Sequence, residues 1–90
     1  MASLDIPPAL QKFTQGQRKV QIQASTLGQA IDQADRLHPG IKQKLVSSSG
    51  EILRFISIFV DQEDVKYLKG LETPIQKESQ ILVLMAMAGG

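Results

Sequence analysis

The sequence predicts an α+β fold, a mixed sheet of four to five strands with one main helix packed across one face. Three observations carry that expectation. Residues 26–37 open on a helix-capping signature and continue with apolar residues at helical spacing. Lys19 to Ala24 alternate polar and apolar at the period of a half-buried strand. Near the C-terminus an eight-letter run, ILVLMAMA, contains no polar residue, starts on β-branched residues and is too short for a membrane span.

Taken in order, Ala2 to Ile6 alternate weakly and read as a short strand, which Pro7-Pro8 ends or bulges by removing two backbone donors. Gly16 sits in a polar loop, FTQGQRK, and Val20, Ile22 and Ala24 then form the buried face of a second strand, making a loose hairpin with the first. Thr26-x-x-Gln29 is a capping box, in which a hydroxyl and an amide satisfy orphan donors at a helix start. Leu27, Ala30, Ile31, Ala34 and Leu37 supply the apolar stripe of that helix, and Pro39-Gly40 stops it. Ile41 and Leu45, one turn apart, suggest a brief helical turn before the loop SSSG. Glu51 to Val60 reads as a central strand, with Phe55, Ser57 and Phe59 on one face and Ile56, Ile58 and Val60 on the other. Periodicity alone leaves open which set meets the helix. Asp61 to Asp64 is a polar turn, Val65 to Tyr67 a short returning strand, and Gly70 to Ser79 is irregular.

The closing apolar run is expected to be a strand buried on both faces. That places it in the middle of the sheet, parallel to the first strand, with the helix crossing between them. The resulting order, ββαββ and a last central strand, is the β-grasp or ubiquitin-like topology. Residues 1–88 are expected to make up the domain and residues 89–90 a flexible tail.

Composition narrows the function classes. Ninety residues suffice for one domain that buries roughly 60% of its unfolded surface. Ten Lys plus Arg against nine Asp plus Glu give a net charge of +1, and three Phe, one Tyr and no Trp offer little for base stacking, so neither nucleic acid nor a membrane is an expected partner. MASLDIPP has no basic region followed by a long apolar core, so no signal peptide is expected and the location is read as cytoplasmic. Zero cysteines exclude disulfides and thiolate chemistry, and a single histidine, His38, leaves too few ligands for a conventional zinc site. His38 is read as a helix-end residue, and Asp61, Glu63 and Asp64 as a solvated turn, since Lys66 stands where a calcium loop needs glycine.

The sharpest chemical feature is the ending, Gly89-Gly90. Two residues without a Cβ can enter a channel only as wide as the backbone. The terminal carboxylate is a poor electrophile until a leaving group is attached. Sulfur placed there afterwards would be an anionic nucleophile at neutral pH, by the logic that makes thiolate the reactive form of cysteine. Most chain ends are simply frayed, and that reading stands beside this one. Met85 and Met87 share a face and can fill the core or offer a greasy docking surface together with Ala88 and Phe59.

The stretch RFISIFVDQEDVKYLKGLETPI, followed by ILVLMAMAGG, resembles the bacterial ubiquitin-like sulfur carriers of the ThiS/MoaD type, above all the cysteine-biosynthesis type. The IPPAL start and TLGQAIDQADRLHPGI extend the resemblance over most of the chain. It departs twice: Lys77-Glu78-Ser79-Gln80 replaces a Gly-Asp turn, and Met85 stands where proline is frequent. The resemblance implies a carrier rather than an enzyme, with no bound cofactor. A ubiquitin-activating-enzyme-like adenylyltransferase would use ATP to adenylate Gly90, with Gly89 giving access, and a sulfur donor would displace AMP to leave a thiocarboxylate. The acceptor would be a biosynthetic enzyme of cysteine synthase type or the large subunit of molybdopterin synthase. The alternatives are the small subunit of molybdopterin synthase, a ubiquitin-like modifier conjugated through Gly90, or an interaction module with an inert tail.

Overall fold

The hairpin forms as expected in the computed structural model, which describes residues 1–86. β1 (Ala2–Asp5) and β2 (Lys19–Ile22) pair antiparallel, with Leu4 opposite Val20. The residues between them are not a plain loop. Pro8–Thr14 wind into a 3-10 helix, with proline at its start where a missing N–H costs nothing. Thr14 is fully buried, and its hydroxyl lies 2.7 Å from the carbonyl of Gln17 and 3.1 Å from that of Gln11.

The helix α1 (Leu27–Leu37) starts where the capping signature places it: the Thr26 hydroxyl accepts from the Gln29 amide at 3.2 Å. The Gln29 side chain reaches one residue further back than a capping box requires, accepting from Ser25 N at 3.0 Å. Leu27, Ala30, Ile31 and Ala34 are buried, whereas Leu37, expected in the same stripe, is exposed on the last turn. Asp35 fixes the exit by accepting from the amides of Gly40 (3.0 Å) and Lys42 (3.1 Å), and Gly40 takes the left-handed φ of 103° that this turn demands. A second glycine, Gly28, allows close approach, since a Cβ there would lie 3.3 Å from the Leu71 carbonyl oxygen.

The next strand, β3, spans only Ile56–Val60, shorter than the expected Glu51–Val60. The residues before it fold back instead, through a bridge between Val46 and Ile52 and a bond from Leu53 N to Leu45 O. Asp61 and Gln62, both with positive φ (50° and 76°), form a two-residue hairpin turn into β4 (Glu63–Asp64). Here the expectation shifts: Glu63 and Asp64 are the returning strand, and Val65–Tyr67 is a 3-10 turn. The Asp64 carboxylate caps it, accepting from Lys66 N at 3.0 Å, and such local capping competes with strand pairing.

The last strand, β5 (Gln80–Met85), lies parallel to β1 and antiparallel to β3, giving the order β2-β1-β5-β3-β4. This is a β-grasp sheet, with the apolar run in the middle as its composition predicted. Rows of directly paired residues share a face. The row Val20, Leu4, Ile81, Val60 is buried with Ile58, Val83 and the helix stripe in one core. The expected burial on both faces is not observed: Leu82 and Leu84 are 40% and 46% exposed. Among the described residues only one face of the sheet is covered, so alternation holds along β5 although its composition hides it.

Candidate functional site at the exit of the last strand

β5 is fastened at both ends. At its start, the Asp61 carboxylate accepts from Gln80 N and from the Ser79 hydroxyl, each at 2.9 Å, while Asp61 N donates to Gln80 O at 2.9 Å. The buried Ser79 hydroxyl in turn accepts from Gln76 N at 2.8 Å. Asp61 and Asp64 therefore serve the fold, and the residues that replace the Gly-Asp turn are held by this bracket. At its end, Met85 pairs with Ile56, and Ala86 N donates to Phe55 O at 2.8 Å. Of the residues singled out in the sequence, Met87, Ala88, Gly89 and Gly90 lie outside the described residues and follow directly on this anchor.

The remaining two fall on opposite sides of the sheet. Phe59 is half-buried on the open face, in the row Lys19, Asp5, Leu82, Phe59, Asp64. Leu84 and Ser57 form the next row. Met85 instead belongs to the core side, half-buried beside Ile56. Phe59 and Met85 thus do not form one patch. The open-face leucines were missed by sequence reasoning because every neighbour in ILVLM is apolar, which removes the contrast that reveals a face.

Two clefts flank the exit. On the open face, Leu82, Leu84, Pro7 and Pro8 line a hollow of about 270 Å³ together with Asp5 and Arg18, and the Asp5 Oδ1 atom is buried without a hydrogen-bond partner among the described residues. On the core side, Met85, Leu53 and Phe55 meet Phe13 and two lysines in a cleft of about 370 Å³. The Lys12 and Lys44 ammonium groups stand 5.5 and 5.1 Å from the Phe13 ring centre. Lys42, two residues before Lys44, is held by Asp32 at 2.6 Å; that hydrogen bond and charge, with a smaller contribution from Asp35, raise its ammonium above the usual 10.5. His38 caps the helix C-terminus, with its N–H on Ala34 O at 2.8 Å. Among the described residues no cluster of metal-ligating side chains occurs, and no helix is long and apolar enough to cross a membrane.

A β-grasp sheet with one open face, on which Leu82, Leu84 and Phe59 lie among polar residues, and with an anchored central strand just before the C-terminal segment, belongs to the ubiquitin-like class. The sequence matches the ThiS family over residues 6–90, and the chain belongs to that family. It is 37% identical over 90 residues to the sulfur carrier protein CysO of Mycobacterium tuberculosis, covering 98% of this chain and 97% of that one. The crystal structure of M. tuberculosis CysO superposes with a TM-score of 0.92 at 34% identity, over 97% of this chain and 100% of that chain. The matching chain in the Amycolatopsis orientalis BexX/CysO complex gives 0.94 at 33% identity, over the full length of both.

Proposed function

We propose that this protein is a sulfur carrier of the cysteine-biosynthesis type, acting with partner enzymes and carrying sulfur on the C-terminal carboxyl of Gly90. The observation that carries the reading is the full-length likeness to the CysO sulfur carriers, joined to a last strand anchored up to Ala86. Beyond that anchor, four residues can extend at most about 14 Å, enough for Gly90 to enter a partner's cleft while the domain stays outside.

The chemistry follows from that reach. In the adenylating partner the Gly90 carboxylate attacks the α-phosphorus of ATP and pyrophosphate leaves, producing an acyl adenylate. A hydrosulfide ion, or a donor equivalent to it, then attacks the carbonyl carbon and AMP departs, leaving a thiocarboxylate and a proton released to solvent. Gly89 and Gly90 fit this role because they add no side chain to the segment that enters. Zero cysteines leave no internal thiol to attack the activated carbonyl. The open face, with Phe59, Leu82 and Leu84 near its centre, is the surface on which partners dock, and the CysO of Amycolatopsis orientalis is a relative that forms a complex with another protein, BexX.

Mass spectrometry of protein from its native cell, alkylated without reduction, tests this. The expected product is a C-terminal peptide with one oxygen replaced by sulfur and alkylated there. Alkylation is needed because oxidation of Met85 or Met87, both in that peptide, adds the same nominal mass. Lysine-linked conjugates through Gly90 would instead establish a modifier. An unmodified acid after incubation with the activating enzyme, ATP and a sulfur donor would refute both. Deleting Gly90 is expected to abolish sulfur loading while leaving the thermal midpoint nearly unchanged.

A further inference from the structure

We infer that the cleft on the core side of the exit is a second docking site for the adenylating partner, one that takes an acidic segment tipped by an apolar side chain. This rests on the carrier reading above and concerns a surface distinct from the open face. The 3-10 helix at Pro8–Thr14 and the one at Lys42–Lys44 present Lys12 and Lys44 over Phe13, and Leu53, Phe55 and Met85 supply the apolar lining. Among the described residues no Asp or Glu lines this cleft, and no ion pair joins either lysine to a carboxylate. Phe55 is 45% exposed there.

Charge complementarity selects the occupant. Two cations above an aromatic ring attract carboxylates, while the lining gains only from an apolar group. Position selects the partner. Met85 is both a wall of the cleft and the last paired residue before the C-terminal segment, so a protein that swallows that segment must press against this rim. The lysines lie at the base of the segment, about four residues from Gly90, and so meet the rim of the partner's channel rather than the reacting carboxyl. Contacts at such a rim change encounter and binding more than chemistry.

The test is the steady-state kinetics of sulfur loading by the adenylating partner, with the Lys12→Met/Lys44→Met, Lys12→Glu/Lys44→Glu and Lys12→Arg/Lys44→Arg double variants, each first shown to keep the wild-type thermal midpoint. The methionine pair is expected to raise KM for the carrier roughly tenfold with kcat unchanged, the glutamate pair to raise it further, and the arginine pair to restore it. Wild-type KM should climb with salt, and the methionine pair should lose most of that dependence. Unchanged KM and salt dependence in the methionine pair would overturn the inference while leaving the carrier reading intact. A wild type that is never loaded would instead remove the carrier reading on which the inference rests. NMR spectra separate other occupants. Shifts at Phe13 on deleting residues 87–90 would assign the cleft to the chain's own end, and concentration-dependent shifts there would assign it to a second copy; either result overturns the proposal.

Discussion

Asp61 ties together more of the chain than its place in a polar turn suggests. It adopts a left-handed φ of 50°, turns the β3–β4 hairpin, and receives both the Ser79 hydroxyl and the Gln80 amide. Bonds to an ionised acceptor contribute roughly 1.5–3 kcal/mol each, and losing the acceptor leaves the buried Ser79 hydroxyl without it. Asp61→Ala is therefore expected to lower stability by about 2–4 kcal/mol in denaturant titration. Asp61→Asn, which tolerates the same φ and keeps an acceptor, should lose under half as much. Equal losses for the two variants would show that the carboxylate plays no special part. None of this is legible in the sequence, which shows DQED, a polar turn, and nothing to say that residue 61 bonds to residues 79 and 80.

The alternation hidden inside ILVLM is the finding at the level of the element. Ile81 and Val83 enter the core; Leu82 and Leu84 remain on the open face. Ile81→Ala should cost about 2–5 kcal/mol of stability, as deletions from packed cores do. Leu84→Glu, on a side chain 46% exposed, should shift stability by under about 1 kcal/mol yet weaken partner binding, read by calorimetric titration. A strongly destabilised Leu84→Glu with unimpaired binding would reverse the assignment of faces. Composition correctly put β5 in the centre of the sheet. It could not show a face left open, because an apolar run records how much surface is greasy and not what covers it.

Across the whole molecule, β5 closes the sheet by joining β1, whose residues lie some 77 positions earlier, to β3. Ser3 aligns with Gln80, so pairing the first and last strands closes a loop that spans most of the chain. Such long-range pairing is expected to make folding slower than that of a helical bundle of the same length. Truncation after Ser79 removes the central strand and leaves β1 and β3 without a shared neighbour. That fragment is expected to lose cooperative unfolding and dispersed amide resonances. A fragment that still folds would mean the sheet does not depend on its middle strand.

By itself the sequence determined what local physics can encode. Thr26 and Gln29 mark the start of α1, Leu27, Ala30, Ile31 and Ala34 its buried stripe, Val20 and Ile22 the inner face of β2, and the apolar run the central place of β5. Each is a pattern within a few residues, and capping, periodicity and burial act over that range. The tertiary structure alone decided which faces stay open, that Phe59 and Met85 lie on opposite sides, and that Asp61 fastens β5. It also brought Lys12 and Lys44, 32 positions apart, over one phenylalanine ring. Those are relations between distant segments, fixed by the packing of one helix on one face of the sheet, and no window of sequence contains them.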